Sequence, residues 1–301
     1  MTPMDARRRA LALTSLALLP FALACGDDPV AWDDAAERRA PVPPPSAAQP
    51  APDAAADSVL LATLRAAARD AGPASAAASV PSTVLDVRGR ACPLSVRVAA
   101  GRAGERDAVW WALDAAGRAT LLASRSGDGG ATWRPAVAVD TLDVGTTGCV
   151  RPAPAVAVDS ANGYVHVAYA LAAPDGTGVF YAHRMGPELP FERTQVITYG
   201  DHVTPASVAS AGDLVVVAYE DPNTGGRPYV SLAISRTAGH SWAERVEVSS
   251  AAENAVRPAV ALRGHTVAAG WVSSAPPRVL RPDDPDAGGL SQVVVRVGRI
   301  R

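Results

Sequence analysis

Downstream of Pro81 the apolar positions of this chain fall into short runs separated by Gly, Pro, Asp and Ser, and the runs recur. Four times a Pro opens an apolar stretch: Pro93 to Val98, Pro152 to Val158, Pro205 to Val208 and Pro258 to Leu262. A second run follows in each unit and carries an aromatic residue, read here as Trp111, Tyr169, Tyr219 and Trp271. Third runs cover Leu121 to Ala123, Val179 to Tyr181, Val230 to Ile234 and Val293 to Val297, and fourth runs cover Ala136 to Val139, Gln195 to Thr198 and Arg245 to Val248. Short apolar runs rich in Val and bounded by turn formers are strands, and a period of about 50 residues is the signature of a blade array. The pattern predicts an all-β fold, a small β-propeller of about four four-stranded blades over residues 81–301. The aromatics read as packing between blades. The last unit stops after its third strand, and Thr83 to Val87, directly before the first unit, is expected to supply the missing outer strand and fasten the ends of the propeller.

The turn after the third run is the most specific local signal. Ser126-Gly127-Asp128-Gly129-Gly130-Ala131-Thr132-Trp133 reads Ser-x-Asp-x-Gly-x-Thr-Trp, and Ser235 to Trp242 repeats it with Gly239 and Trp242 in register and Thr237 in place of the Asp. This chemistry suits a hairpin tip, where the carboxylate of Asp128 accepts backbone N–H bonds, Gly130 supplies an unusual backbone conformation and the hydroxyls of Ser126 and Thr132 close the turn. Trp133 then packs beneath it. Unit two lacks the motif, with Phe191 where the Trp belongs.

Upstream the pattern breaks. Arg7, Arg8 and Arg9 precede an apolar run from Ala10 to Ala24 that ends at Cys25; this is shorter than the roughly 20 residues of a spanning helix and reads as a signal peptide over 1–24. The ending Phe21-Ala22-Leu23-Ala24-Cys25 resembles a bacterial lipobox, which predicts lipidation of Cys25, a lipid-anchored protein of the bacterial cell envelope, periplasmic or at the cell surface, and the membrane as a partner through that anchor. Residues 25–80 are rich in Ala, Pro, Asp and Ser and read as a flexible tether, with a short helix possible at 58–71.

Composition narrows the function classes. The net charge is −2, which leaves no basic footprint for nucleic acid, and all 28 basic residues are Arg, so a single Arg carries little information. Apart from Cys25 there are two cysteines, Cys92 and Cys149. An even pair in an exported chain, each cysteine just before a strand-opening Pro of neighbouring units, predicts a disulfide. The five histidines show no ligand spacing, the Gly-rich stretch belongs to a hairpin, and Gly-x-Ser-x-Gly is absent, so the spacing indicates no metal, cofactor or esterase chemistry. The acidic loop Arg281 to Asp286 reads as solvated surface.

The two Ser-to-Trp motifs are Asp-boxes, and through them the chain resembles the sialidase (bacterial neuraminidase repeat) superfamily of β-propellers. That family uses six blades, and this chain has room for four. Arg151 in Val150-Arg151-Pro152 and Arg257 in Val256-Arg257-Pro258 resemble the family's Arg-Ile-Pro element, whose Arg helps clamp a substrate carboxylate, a task a guanidinium fork suits. The equivalent places in the other units are Cys92 and Thr204, so the family's arginine triad is incomplete. The resemblance also calls for a Tyr nucleophile, a Glu and an Asp acid/base; Tyr199, Tyr229, Asp201, His202, Glu220 and Asp221 all fall on loops of the strand-entry face, without a spacing that assigns roles. The leading expectation is a propeller that binds a glycan, peptide or envelope protein, an acidic glycan included, at that face through Arg151, Arg257, Glu220, Asp221 and Asp201. An exo-sialidase or related glycoside hydrolase, and a scaffold for an envelope complex, are the alternatives.

Overall fold

The computed structural model describes residues 28–42, 90–145, 148–223, 227–274 and 291–301. The expected signal peptide with Cys25, the helix expected at 58–71, Thr83 to Val87 and the acidic stretch 281–286 lie outside them.

Four antiparallel sheets follow one another along the chain. Blade 1 contains β2 (Arg90–Ala91), β3 (Arg97–Ala100), β4 (Arg106–Leu113), β5 (Ala119–Ser126) and β6 (Val137–Asp140). Blade 2 contains β7 (Ala155–Val158), β8 (Val165–Ala173), β9 (Gly176–Arg184) and β10 (Gln195–Tyr199), and blade 3 contains β11 (Ala206–Ala211), β12 (Leu214–Glu220), β13 (Val230–Ser235) and β14 (Glu244–Glu247). Blade 4 contains β15 (Asn254–Arg263), β16 (Thr266–Ser274) and β17 (Gln292–Ile300), completed by β1 (Val30–Pro41) from the N-terminal side. Innermost strands meet in order, β3 against β7, β7 against β11 and β11 against β15. The protein is an all-β propeller of four blades.

Why the middle strands read as unbroken apolar runs is plain from β12. Val215, Val217 and Tyr219 enter the core shared with blade 2, while Leu214, Val216 and Ala218 enter the core shared with blade 4. Successive side chains point to opposite faces of a strand, and here both faces are covered, so alternation of polar and apolar residues disappears.

The closing strand differs from the expectation. β1 occupies the outer edge of blade 4, pairing antiparallel with β17 from Val30 opposite Ile300 to Pro41 opposite Gln292. The segment 30–41 therefore belongs to the propeller and not to a tether. Val30 and Ile300 are both buried, and Trp32 lies under the Arg296 guanidinium at 4.7 Å. Gly298 makes this docking possible, because a Cβ there would come within 2.8 Å of Val30 and 2.9 Å of Trp32. The cue was faint: Val30 and Trp32 in an otherwise polar, Ala-rich stretch.

Two further readings are corrected. Pro93–Ser95 forms a 3-10 turn, and the inner strand begins at Arg97; Ser95 Oγ donates to Cys92 O and accepts from Trp111 N, which holds the chain off the sheet while leaving Leu94 exposed. The repeated aromatic of blade 1 is Trp110 and not Trp111. Ser126 pairs with Arg106, Arg184 with Val165 and Ser235 with Val215; four residues further along each partner strand stand Trp110, Tyr169 and Tyr219. Trp111 instead faces blade 2, where it meets Tyr169 edge to face at 6.3 Å.

Cys92 and Cys149 form the predicted disulfide, with Cα atoms 5.4 Å apart, and tie the entry of blade 1 to the entry of blade 2.

Candidate functional site

Each blade runs inner strand, second strand, third strand, outer strand, so the crossovers into each blade share one face with the second-to-third-strand loops. The Ser-to-Trp hairpins lie on the other face with the first-to-second-strand loops, as the Gly129 N–H bonded to Gly104 O and the Ala238 N–H bonded to Asp213 O show.

On the hairpin face, the sequence chemistry is realised bond by bond. Asp128 Oδ1 accepts from Ser126 Oγ at 2.7 Å and Thr132 N at 2.8 Å, and Gly130 N donates to Ser126 Oγ at 2.8 Å. These bonds, those from Thr132 first, hold the Asp128 carboxyl at about 2. In the second hairpin the Thr237 hydroxyl takes the place of the carboxylate, accepting from Ser241 N at 2.9 Å, while Gly239 N donates to Ser235 Oγ at 3.0 Å.

The strand-entry face gathers most of the predicted site residues at one junction. The crossover 199–205 is bound to the loop that follows β12: Asp201 N donates to Pro222 O, Glu220 N to Pro205 O, and Asn223 Nδ2 to Tyr199 O. Asp201 and His202 are exposed, Tyr199 shows 46% of its surface, and Glu220 and Tyr229 are half-buried. Arg257 arrives from blade 4 at a bulge in β15 between Val256 and Ala259, with φ of 58°. That is a costly conformation for a residue other than glycine, and it aims the Arg257 N–H at Glu220 Oε2, 3.5 Å away. Burial raises the Glu220 pKa, opposed by the Arg257 N–H and by the charges of His202 and Arg257. Asp221 is buried and accepts from Asn223 N at 2.8 Å. The Tyr229 hydroxyl bonds to the Asp221 carboxylate, and burial together with that negative charge raises the Tyr229 pKa.

Arg151 belongs to a different junction, between blades 1 and 2. Its Nη2 lies 2.6 Å from Asp143 Oδ2 with both side chains buried, and its guanidinium stacks on Trp111 at 5.3 Å. Its packing is thus with Asp143 and Trp111, beside the disulfide.

A cleft of about 190 Å³ opens at the crossover into blade 4, lined by Glu37, Arg39, Ser249, Glu253, Trp271 and Arg296. Glu253, which no motif marks, is buried there and accepts from Trp271 Nε1 at 3.2 Å. Glu37 and Arg39 of this cleft wall come from β1 and the rest from blades 3 and 4 and the crossover between them, so it had no signature in any one stretch of sequence.

Fold and site together define a four-bladed propeller with a polar, carboxylate-rich mouth. No protein family model matches the chain, and no curated protein matches it. Solved structures with a similar course include a protein of unknown function from Dyadobacter fermentans, at 14% identity and TM-score 0.47, covering 68% of this chain and 52% of that one. A Hadza microbial sialidase follows at 15% identity and TM-score 0.42, covering 59% and 41%. A Trypanosoma rangeli sialidase in complex with the inhibitor DANA matches at 11% identity and TM-score 0.44, covering 67% and 40%. The chain spans about half the length of the first of these and about two fifths of the sialidases.

Proposed function

We propose that this chain is an exported, lipid-anchored envelope protein whose propeller binds a hydroxyl-rich glycan at the strand-entry face, at the junction formed by the 199–205 crossover, the loop after β12 and the Arg257 bulge. The observation that carries the reading is the approach of the strained Arg257 backbone to the half-buried Glu220 carboxylate. Backbone strain held in place at a mouth is a mark of ligand sites. Glu220 and Asp201 offer acceptors to sugar hydroxyls, and the exposed ring of Tyr199 offers a stacking face.

Tyr229, hydrogen-bonded to the Asp221 carboxylate, has the arrangement of a phenol beside a base. Binding without hydrolysis is favoured on a different ground, the separation of the two arginines that a carboxylate clamp would have to bring together. Arg151, bonded to Asp143, is held at a separate junction.

The test is binding of the purified protein to immobilised neutral and sialylated glycans, alongside a fluorogenic sialoside. Retention on neutral glycans that weakens at least about tenfold in Glu220→Gln is expected, with no turnover of the sialoside. Sialoside turnover abolished by Tyr229→Phe would replace this reading with the hydrolase one. Mass spectrometry of the membrane-extracted protein tests the anchor: a diacylglyceryl-modified Cys25 at the N-terminus is expected.

A further inference from the structure

The hairpin face, opposite the proposed glycan mouth, holds a second constellation. His183 sits at the end of β9, Glu192 on the turn that follows, and His240 at the tip of the Ser235–Trp242 hairpin of the next blade. The Glu192 carboxylate Oε2 lies 3.6 Å from His183 Nε2 and 3.6 Å from His240 Nδ1. One donor atom from each of the three falls within 4.8 Å of the other two. His183 is fully buried, and neither of its ring nitrogens has a hydrogen-bond partner. Leaving a buried polar atom without a partner is costly, so the unpartnered Nε2 facing Glu192 calls for a ligand.

We propose that His183, Glu192 and His240 bind a zinc ion across the junction of blades 2 and 3. Two imidazoles and one carboxylate form a donor set that zinc takes with a fourth, exchangeable position. Bonds of about 2.0–2.1 Å in a tetrahedron separate ligand atoms by roughly 3.3 Å, so the two 3.6 Å separations need to close by only a few tenths of an ångström. His240, exposed on its hairpin, can turn to complete the set. Glu192 and His240 face solvent, which leaves the fourth position to water or to an outside ligand.

The surrounding framework holds the donors in place. Glu192 N donates to His183 O at 2.8 Å, His240 N to Thr237 O at 3.0 Å, and Gln195 Nε2 crosses to Gly239 O at 2.9 Å. On the inner side Tyr181 and Tyr164 stack on the His183 ring, and Trp242 packs edge to face on Tyr181 at 4.8 Å. This is the apolar, aromatic shell that stiffens and dries a metal site. A hard cation such as Ca²⁺ would want oxygen ligands in greater number.

The test is titration of metal-free protein, purified without a polyhistidine tag, with zinc chloride by calorimetry, together with the thermal midpoint with and without zinc. One zinc per chain and a raised midpoint are expected, with affinity reduced at least about tenfold in both His240→Ala and Glu192→Gln. His240 is exposed, so its variant keeps the fold, which circular dichroism verifies. Absence of stoichiometric zinc binding, or binding that both variants leave unchanged, overturns the proposal. The glycan assay is independent of either result.

Discussion

Arg184 Nη2 in blade 2 donates to Asp107 Oδ1 in blade 1, and both side chains are buried. Asp107 also meets Arg125 Nη1 at 3.7 Å, while Arg125 has its own partner in Glu105 at 2.6 Å. Burial raises the Asp107 pKa against the pull of both arginines and lowers that of Arg184. Desolvation therefore outweighs attraction, and the pair contributes alignment of two blades more than net stability.

Removing one partner should be costly because it strands the other. Asp107→Ala is expected to lower unfolding free energy in urea by about 3–5 kcal/mol. The double variant Asp107→Leu with Arg184→Met should recover most of that loss, since Arg125 retains Glu105. A single variant within about 1 kcal/mol of wild type would show that the buried pair is dispensable.

The Cys92–Cys149 bridge spans a sequence separation of 57 residues. Chain-entropy arguments give about 4 kcal/mol for such a loop. Cys149→Ser, compared with wild type under oxidising conditions, should lose stability on that scale, and reductant should make the two proteins alike.

Asp128 carries an acid-sensitive contribution. Its folded pKa of about 2 lies below its ordinary 3.8, so the stabilisation is complete above 3.8 and is lost as pH falls through the window down to about 2. Asp128→Thr, which copies Thr237 of the second hairpin, should keep the turn and flatten the fall of the thermal midpoint in that window. An acid limb identical to wild type in Asp128→Thr would place the sensitivity elsewhere.

Gly239 has φ of +91°, and a Cβ on it would meet Tyr181 Oη at 1.9 Å. Gly239→Ala combines backbone strain with overpacking between blades 2 and 3, and a loss of about 2–4 kcal/mol is expected from the two effects together. Tyr181→Phe in the Gly239→Ala background should return only part of it, because the ring atoms Cζ and Cε1 also lie within 3.0 Å of the added Cβ. No recovery would mean that the backbone conformation and the ring contacts carry the whole cost.

Much of the architecture was legible along the chain because its signals are local. Strand runs such as Leu214 to Glu220 are short, β-branched and bounded by turn formers, and Ser126 to Trp133 contains the side-chain donors and acceptors that close its hairpin tip. The disulfide followed from two cysteines that each lie just before the strand-opening Pro of consecutive units. Glu220, Asp221, Asp201 and Tyr229 were found as loop residues of one face, though their pairing was not, since hydrogen-bond partners depend on how the crossover and the loop after β12 lie against each other.

Tertiary structure decided what depends on register and on contacts between blades. Trp110 and Trp111 are adjacent in sequence, and only strand pairing tells which one faces which blade, because one step along a strand reverses the side chain. The fourth strand of the last blade came from Val30–Pro41, some 250 residues away from its partner β17. Nothing local distinguishes it from a tether; its edge position needs only one apolar face, supplied by Val30 and Trp32. Arg151 and Arg257 share a motif and yet part company, one packed with Asp143 and Trp111 and the other turned by a bulge towards Glu220. His183, Glu192 and His240 show no ligand spacing for the same physical reason: their donors come from two hairpins of different blades, and it is blade packing, not sequence interval, that sets the distances between them.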